Sequence, residues 1–179
     1  MIQKNNFYVI TGGPGVGKTT LLDELQRRGY KCIPEVAREI IRYQVENEGD
    51  ALPWKDAKKY SGLMLSHSAR DFLDLSVSDK LIFFDRGIPD TYGYEILMEF
   101  DENPQLEHAL REYRYNTTVF ILPPWKEIYH TDNERKQDFE IAVQTYYAIK
   151  RAYESIGYTA IDVPKLPVGE RADFLLSKI

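Results

Sequence analysis

The chain has 179 residues, a length that suits one domain and is sufficient to bury a sizeable core, so we expect one domain over residues 1–179. A composition of 43% hydrophobic and 28% charged residues is that of a globular protein and argues against a disordered or fibrous chain. The net charge of -5 excludes a general positive field that would hold DNA or RNA by counterion release, so we expect no nucleic-acid partner.

The first part of the chain alternates between strand and helix patterns. Residues 7–11 form a compact apolar and β-branched run that stops at two glycines, which predicts a buried strand followed by a turn. Leucines at helical spacing after residue 18 predict a helix that ends near Gly29. Residues 30–33 then predict a second short strand, and residues 35–47 predict a helix.

Residues 54–77 predict one long helix, or two broken helices, with an apolar stripe on one face. The stripe includes Tyr60, Met64 and Phe72. Two interpretations remain open for these large side chains. They pack against the core, as the apolar faces of amphipathic helices generally do, or they form a wall that faces a ligand.

The remainder of the chain continues the alternation. Apolar runs predict strands over residues 81–84, 118–122 and 158–163, and helical spacing predicts helices over residues 91–100, 104–115, 139–156 and 169–179. Strands that alternate with helices favour a parallel sheet covered on both faces. The predicted fold class is therefore α/β, with three α/β/α layers around a mainly parallel five-stranded sheet.

The glycine-rich segment after the first strand has the spacing Gly-x4-Gly-Lys-Thr, which fits the Walker A pattern in its expected strand–loop–helix context. Its glycines let backbone N–H groups turn inward around phosphate oxygens, and the following helix adds its positive N-terminal end. We expect Lys18 to reach the β- and γ-phosphates, Thr19 to ligate Mg²⁺ and Thr20 to contact the α-phosphate. The predicted nucleotide-binding residues here are Gly12, Gly13, Pro14, Gly15, Val16, Gly17, Lys18, Thr19 and Thr20. The alternative is a glycine-rich turn with an exposed lysine.

An aspartate follows the apolar run at residues 81–84, at the strand end where the ligands of open α/β sheets collect. We expect Asp85 to hold Mg²⁺ directly or through water, or to receive a substrate proton, unless it only caps the next turn. Arg86 follows directly, which predicts an arginine fork beside the phosphates, with a structural ion pair as the alternative. Asp90 is most simply the N-cap of the helix predicted to begin near Thr91.

Glu35 follows the second predicted strand and is expected to face the same sheet edge as the phosphate loop. A general base for an acceptor hydroxyl would lie there. Arg38 is one helical turn further on and is expected to hold the charge of the acceptor or of the transferring phosphate. The alternative for both residues is a solvated Glu–Arg pair.

Two further segments are candidates for closing the site. Residues 131–138 are a charged interruption before a long predicted helix, and as a lid they would bring Arg135, rather than Lys136, onto the transferring phosphate because the planar guanidinium suits phosphate. A solvated helix start is the alternative. Residues 163–167 contain two prolines at the same predicted edge, and we expect Pro164 to help cover a purine ring.

With these residues identified, the chain resembles the P-loop kinase-like proteins of the AAA-ATPase-like domain family, near the ribosylnicotinamide kinase domain. The resemblance covers nearly the full length and rests on residues 10–20, 34–38, 84–90, 157–158 and 163–164. The chain is also similar to nucleoside and nucleotide kinases, in which a glutamate after the second strand acts as base and an acidic residue with an arginine follows the third. Glu35 and the Asp85-Arg86 pair match those places. The sequence has no Asn-Lys-x-Asp motif, so adenine is favoured over guanine by default.

Three functions remain: a phosphotransferase, a regulatory ATPase or switch, and a nucleotide-binding module without turnover. The leading hypothesis is a Mg²⁺-dependent phosphotransferase that moves the ATP γ-phosphate to an unknown small-molecule acceptor held by Glu35, Arg38 and Arg86. The alternative is a regulatory ATPase or nucleotide-dependent switch that acts on a protein partner. A single cysteine, Cys32, and the absence of an apolar signal or membrane-spanning run favour the cytoplasm without membrane association, and a monomer is assumed.

Overall fold

The computed structural model describes residues 1–129 and 139–179. The strands in these ranges are β1 (Ile2–Gln3), β2 (Phe7–Gly12), β3 (Lys31–Ile33), β4 (Ile82–Asp85), β5 (Tyr113–Arg114), β6 (Thr118–Leu122) and β7 (Thr159–Asp162). The α-helices are α1 (Lys18–Arg27), α2 (Val36–Glu46), α3 (Ala57–Leu75), α4 (Ile88–Leu97), α5 (Pro104–Glu112), α6 (Phe139–Ser155) and α7 (Val168–Leu176). One 3₁₀ turn spans Lys126–Ile128.

The main sheet has five strands in the order β3-β4-β2-β6-β7, and every neighbouring pair is parallel. The predicted α/β class with a parallel five-stranded sheet is confirmed. Because all five strands run the same way, their carboxyl ends lie at one edge of the sheet, where the loops after β2, β3 and β4 meet. In the ladder between β2 and β4, Ile10 pairs with Asp85, so the start of the glycine-rich loop and the end of β4 are at the same level.

The core has two parts, one on each face of the sheet. Successive side chains of a strand point to opposite faces, and β2 shows this directly. Phe7 and Val9 join the cluster that includes buried side chains of α3, α4, α5 and α6, while Tyr8 and Ile10 join the cluster that includes α1 and α7. The sheet is thus covered on both faces, as the sequence predicts.

Helix α4 begins about one turn before its predicted start. It runs from Ile88, with Gly87 in extended backbone conformation at the N-cap position and Pro89 in the first turn. Proline fits the first turn because the N–H it lacks has no intrahelical partner there, so Pro89 begins the helix rather than delaying it. The assignment of Asp90 as N-cap is therefore wrong: Asp90 lies inside the first turn, and its carboxylate accepts a hydrogen bond from the Gly87 N–H at 2.9 Å.

Helix α5 ends at Glu112, before the predicted end at residue 115, because Tyr113 and Arg114 form a short parallel ladder with β1. In the apolar stripe of α3, Tyr60, Met64 and Phe72 are buried, and Phe72 lies in the larger core cluster. Core packing therefore explains Phe72. No helix in the described ranges is both long and apolar enough to cross a membrane.

Candidate active site at the carboxyl edge of the sheet

The glycine-rich loop leaves the sheet at the carboxyl end of β2 and leads into α1. Gly12 has φ 145°, and a Cβ atom there would lie 2.7 Å from the Leu122 carbonyl oxygen of the neighbouring strand. Gly17, at the N-cap position of α1, has φ 82°, in the left-handed region that favours glycine. Both glycines are therefore required by the local backbone, which turns the loop around the positive end of α1.

Lys18 opens α1, yet its side chain is buried, with only 6% of the residue exposed. Its Nζ lies 3.5 Å from the Gly13 carbonyl oxygen, so the side chain folds back over the loop. Burial, followed by the positive charge of Arg86, lowers the pKa of Lys18, and the charges of nearby carboxylates, including Asp85, oppose that shift. Lys18 thus belongs to one cluster of charges with the ends of β3 and β4, while Thr19 and Thr20 are exposed.

Asp85 is the last residue of β4 and is buried. Its Oδ1 atom has no hydrogen-bond partner, and burial raises the pKa of the carboxyl group while the charge of Lys18 opposes the rise. A buried carboxylate oxygen without a partner suits a hard cation, and Mg²⁺ usually takes few protein ligands and several oxygens from phosphate and water. Asp85 and the Thr19 hydroxyl stay the predicted protein ligands of Mg²⁺, and the described residues contain no cluster of three or more His, Cys, Asp or Glu suited to a metal.

Glu35 precedes α2, and both of its carboxylate oxygens accept hydrogen bonds from arginine. Arg86 Nε donates to Oε1 at 2.7 Å, and Arg38 Nε donates to Oε2 at 3.3 Å. Burial opposes ionisation of Glu35, but the charges of Arg86, Lys18 and Arg38, with the Arg86 hydrogen bond, outweigh it and lower the pKa to about 2. The Glu35 side chain is 12% exposed and that of Arg38 is 48% exposed, so the solvated-pair interpretation describes only Arg38.

Arg86 is held on two sides and has an unusual backbone. Its Nη1 donates to Asp90 Oδ1 at 3.0 Å while its Nε contacts Glu35, and its φ of 72° is rare for a residue with a side chain. Such a conformation persists only where the surroundings determine it, and it is found preferentially at functional sites. Asp90 supplies that determination, since its carboxylate also accepts from Thr11 Oγ1 and from the Tyr153 hydroxyl. The sequence does not reveal this role of Asp90, because both partners are distant along the chain.

Two tyrosines, one on α3 and one on α4, pack against each other in a small core cluster with Ile40 and Met64. The Tyr60 and Tyr94 rings form an edge-to-face pair with centroids 5.7 Å apart. Burial raises the pKa of Tyr60, and the negative charge of Glu35 adds to the rise. The Tyr94 hydroxyl is buried and has no hydrogen-bond partner. Tyr60 belongs to the predicted stripe of α3, but Tyr94 is a site candidate that the sequence analysis missed.

A cavity of about 380 Å³ opens beside the loop and the first turn of α1, lined by residues 15–20, Ile128 and Arg171. Arg171 was also missed, although it lies in the first turn of a helix predicted to start at this edge. Pro164 follows β7 at the same edge and is half-buried, but it does not line the cavity. Arg135 and Lys136 lie outside the described residues. The structure thus brings together the loop, Glu35, Arg38, Asp85 and Arg86.

Known structures share this architecture across nearly the whole chain. Deoxyadenosine kinase from M.mycoides, described with the products dCMP and a flexible dCDP bound, matches with a TM-score of 0.69 and 16% identity, over 96% of this chain and 97% of that one. NadR protein in complex with NR matches with a TM-score of 0.68 and 18% identity, over 98% of this chain. The match covers 50% of the NadR chain, so this chain spans about half the length of NadR. No significant match is found among curated proteins.

The parallel sheet, its glycine-rich loop and these structural matches define a P-loop NTPase with a nucleoside kinase-like fold. The sequence matches the family model described as AAA domain over residues 7–171. The chain belongs to this AAA-domain family. The resemblance proposed from the glycine-rich loop and the Glu35 and Asp85 motifs is confirmed at the level of the class.

Proposed function

We propose that the protein is a phosphotransferase that moves the γ-phosphate of ATP to a small nucleoside- or nucleotide-like acceptor. The observation that carries the proposal is the ion pair at the carboxyl edge of the sheet, in which Arg86, directly after β4, donates from Nε to Oε1 of Glu35, which follows β3, at 2.7 Å. A loop that only bound nucleotide would not need the buried Glu35–Arg86 pair at the same edge of the sheet. Phosphoryl transfer does need one, because it depends on placing the acceptor and on neutralising phosphate charge.

Each residue has a stated part in this proposal. Loop amides and Lys18 would hold the β- and γ-phosphates, and Arg86 would neutralise charge on the transferring group. Bound Mg²⁺, with Asp85 and Thr19 as its protein ligands, would neutralise phosphate charge further. We assign Glu35 to the acceptor hydroxyl: with a pKa of about 2 it is a weak base, so it would orient the hydroxyl and accept its proton late, which suits a loose transition state.

The tyrosine pair supports an acceptor that has a flat ring. The Tyr94 ring is partly exposed and packs edge-to-face on buried Tyr60, and its unpartnered hydroxyl offers one hydrogen bond. The structural relatives are in line with such an acceptor, since their bound molecules are dCMP and dCDP in one case and NR in the other. We therefore place the acceptor between Glu35 and the pair formed by Tyr60 and Tyr94.

The test is ATP turnover measured as ADP release, with and without a panel of nucleosides, nucleotides and pyridine ribosides. Acceptor-dependent release supports the phosphotransferase. Release that is independent of every acceptor, and that changes with a protein partner, would support a regulatory ATPase instead. Lys18→Ala is expected to abolish nucleotide binding, and unchanged ATP affinity in this variant would refute the loop assignment.

Glu35→Gln tests the acceptor side, and Glu24→Gln is its matched control. Glu24 also accepts hydrogen bonds from two arginines, Arg27 and Arg28, its side chain is also 12% exposed, and its pKa is also lowered to about 2. It lies near the far end of α1, away from the loop. We expect Glu35→Gln to lower kcat for the acceptor reaction by tenfold or more and Glu24→Gln to leave it unchanged.

Tyr94→Phe tests the proposed acceptor wall separately from the chemistry. Removing a buried hydroxyl without a partner leaves packing intact, so the variant should be at least as stable as the wild type. The KM for the acceptor should rise while the KM for ATP stays constant. A rise in the KM for ATP alone would place Tyr94 outside the acceptor site.

A further inference from the structure

Arg171 is a buried arginine at the edge of the phosphate loop. It lies in the first turn of α7, and only 6% of the residue is exposed. Its Nη1 donates to the Gly17 carbonyl oxygen at 3.4 Å, and its guanidinium carbon is 5.8 Å from the centroid of the Trp125 ring. A cation–π contact of this kind attracts the guanidinium group without neutralising its charge.

Within residues 1–129 and 139–179, no carboxylate pairs with Arg171, and its buried Nε has no hydrogen-bond partner. Arg86 at the same edge of the sheet differs from Arg171 because it pairs with two carboxylates, those of Glu35 and Asp90. A long hydrogen bond to one carbonyl and an aromatic ring compensates a buried cation poorly. Burial lowers the pKa of Arg171, which expresses the same cost.

Arg171 also lines the cavity beside the loop, together with residues 15–20 and Ile128. The exposed hydroxyls of Thr19 and Thr20 line the same cavity, so a phosphate chain on the loop would pass between them and the guanidinium group. An arginine fork matches phosphate oxygens in geometry as well as in charge.

We propose that Arg171 is a phosphate ligand of the bound nucleotide, supplied by the C-terminal helix, and that the nucleotide's phosphate provides its counter-charge. The inference rests on the proposed function, because it requires that the loop at residues 12–19 binds a nucleotide. On this proposal α7 is part of the nucleotide site. The hydrogen bond to the Gly17 carbonyl oxygen holds the Arg171 side chain beside the loop, from which its guanidinium group would reach the phosphates.

The test compares Arg171→Met, which keeps the length and removes the charge, with Arg171→Lys, which keeps the charge and removes the fork. The dissociation constants of ATP, ADP, adenosine and inorganic tripolyphosphate are measured by calorimetry, along with the Tm of the free protein. We expect Arg171→Met to weaken ATP, ADP and tripolyphosphate by tenfold or more, to leave adenosine unchanged, and not to lower the Tm. Arg171→Lys should recover part of the loss.

Arg114→Met is the matched control. Arg114 makes the same kinds of contact as Arg171: its guanidinium carbon is 4.2 Å from the centroid of the Tyr158 ring, and its Nη2 donates to the Ile156 carbonyl oxygen at 2.9 Å. Arg114 differs because it is only half-buried and lies near the amino ends of the strands. We expect this substitution to lower the Tm and to leave every dissociation constant unchanged.

Three results would overturn the inference. Unchanged tripolyphosphate affinity in Arg171→Met removes the phosphate contact, and a loss confined to ligands that carry adenine assigns Arg171 to the base. A lowered Tm with unchanged affinities indicates an arginine with a structural role only. Lys18→Ala separates this failure from a failure of the proposed function: if Lys18→Ala abolishes tripolyphosphate binding and Arg171→Met does not, only the inference about Arg171 is wrong.

Discussion

Asp90 is the residue whose replacement should cost the most stability at this edge of the sheet. Its buried carboxylate accepts hydrogen bonds from donors on three elements. Thr11 Oγ1 and Arg86 Nη1 donate to Oδ1, while the Gly87 N–H and the Tyr153 hydroxyl donate to Oδ2. The carboxylate therefore joins the end of β2, the strained backbone at Arg86 and helix α6.

Asp90→Ala leaves those donors buried without an acceptor. A lost buried hydrogen bond costs about 1 kcal/mol, and breaking a buried ion pair costs about 3–5 kcal/mol when the partner is left unpaired. Arg86 keeps its contact with Glu35, which reduces the second cost. We therefore expect a loss of about 3–5 kcal/mol in the free energy of unfolding, or about 8–15 °C in Tm for a protein of this size. Tyr153→Phe removes only one donor and should cost about 1 kcal/mol.

Urea unfolding followed by far-ultraviolet circular dichroism measures these losses as shifts in the midpoint. Asp173→Ala is the control, because Asp173 also contacts an arginine, Arg28, but its side chain is 69% exposed. No resolvable shift is expected for it, since exposed pairs contribute little. If Asp90→Ala shifts the midpoint no more than Tyr153→Phe does, Asp90 does not organise this edge and the reasoning is wrong.

Three other predictions follow from local geometry. The pKa of Glu35 is about 2 in the folded protein, against an ordinary value of 4.5. Ionised Glu35 therefore stabilises the fold fully above pH 4.5, and this contribution is lost as the pH falls toward 2. Glu35→Gln should flatten the fall of the urea midpoint between pH 4.5 and 2. A Cβ at Gly62 would meet nothing within 4 Å, so Gly62→Ala should raise the free energy of unfolding by about 0.5–1 kcal/mol. A Cβ at Gly93 would lie 3.1 Å from the Ile149 Cα of α6, so Gly93→Ala should lower the Tm. Burial raises the pKa of Cys32 to about 12, so its thiol should react with a disulfide reagent at pH 8 only after unfolding in urea, and rapid reaction of the folded protein would contradict this environment.

The predictions that the sequence supports best depend on local order along the chain. The loop at residues 12–19 could be predicted because its glycines, lysine and threonine are consecutive and fall between a strand pattern and a helix pattern. Asp85 and Glu35 could be predicted because a parallel sheet brings the residues that follow its strands to one edge. The topology alone places them near the loop, and no side-chain contact had to be known.

The parts that were missed depend on contacts between distant residues. The Tyr153 donor to Asp90 is 63 positions away, and Arg171 meets Gly17 across 154 positions, which no local pattern encodes. The start of α4 was misplaced because glycine and proline are typical of loops, although both also suit the beginning of a helix. A strand of two residues such as β5 has too few positions to show a period.

Two buried polar atoms without partners, Asp85 Oδ1 and Arg171 Nε, belong to residues at the phosphate-loop edge. The others in the described ranges are His67 Nδ1 and Tyr94 OH. Protein interiors normally satisfy such groups, so the two exceptions at the phosphate-loop edge support the proposal that this edge binds ligands. The Asp85 carboxylate suits a cation, the Arg171 guanidinium suits an anion, and the Tyr94 hydroxyl suits one hydrogen-bond partner. A Mg²⁺-nucleotide with an acceptor would supply all three, which is why apolar or neutral replacements at these positions are expected to impair ligand binding without lowering the stability of the free protein.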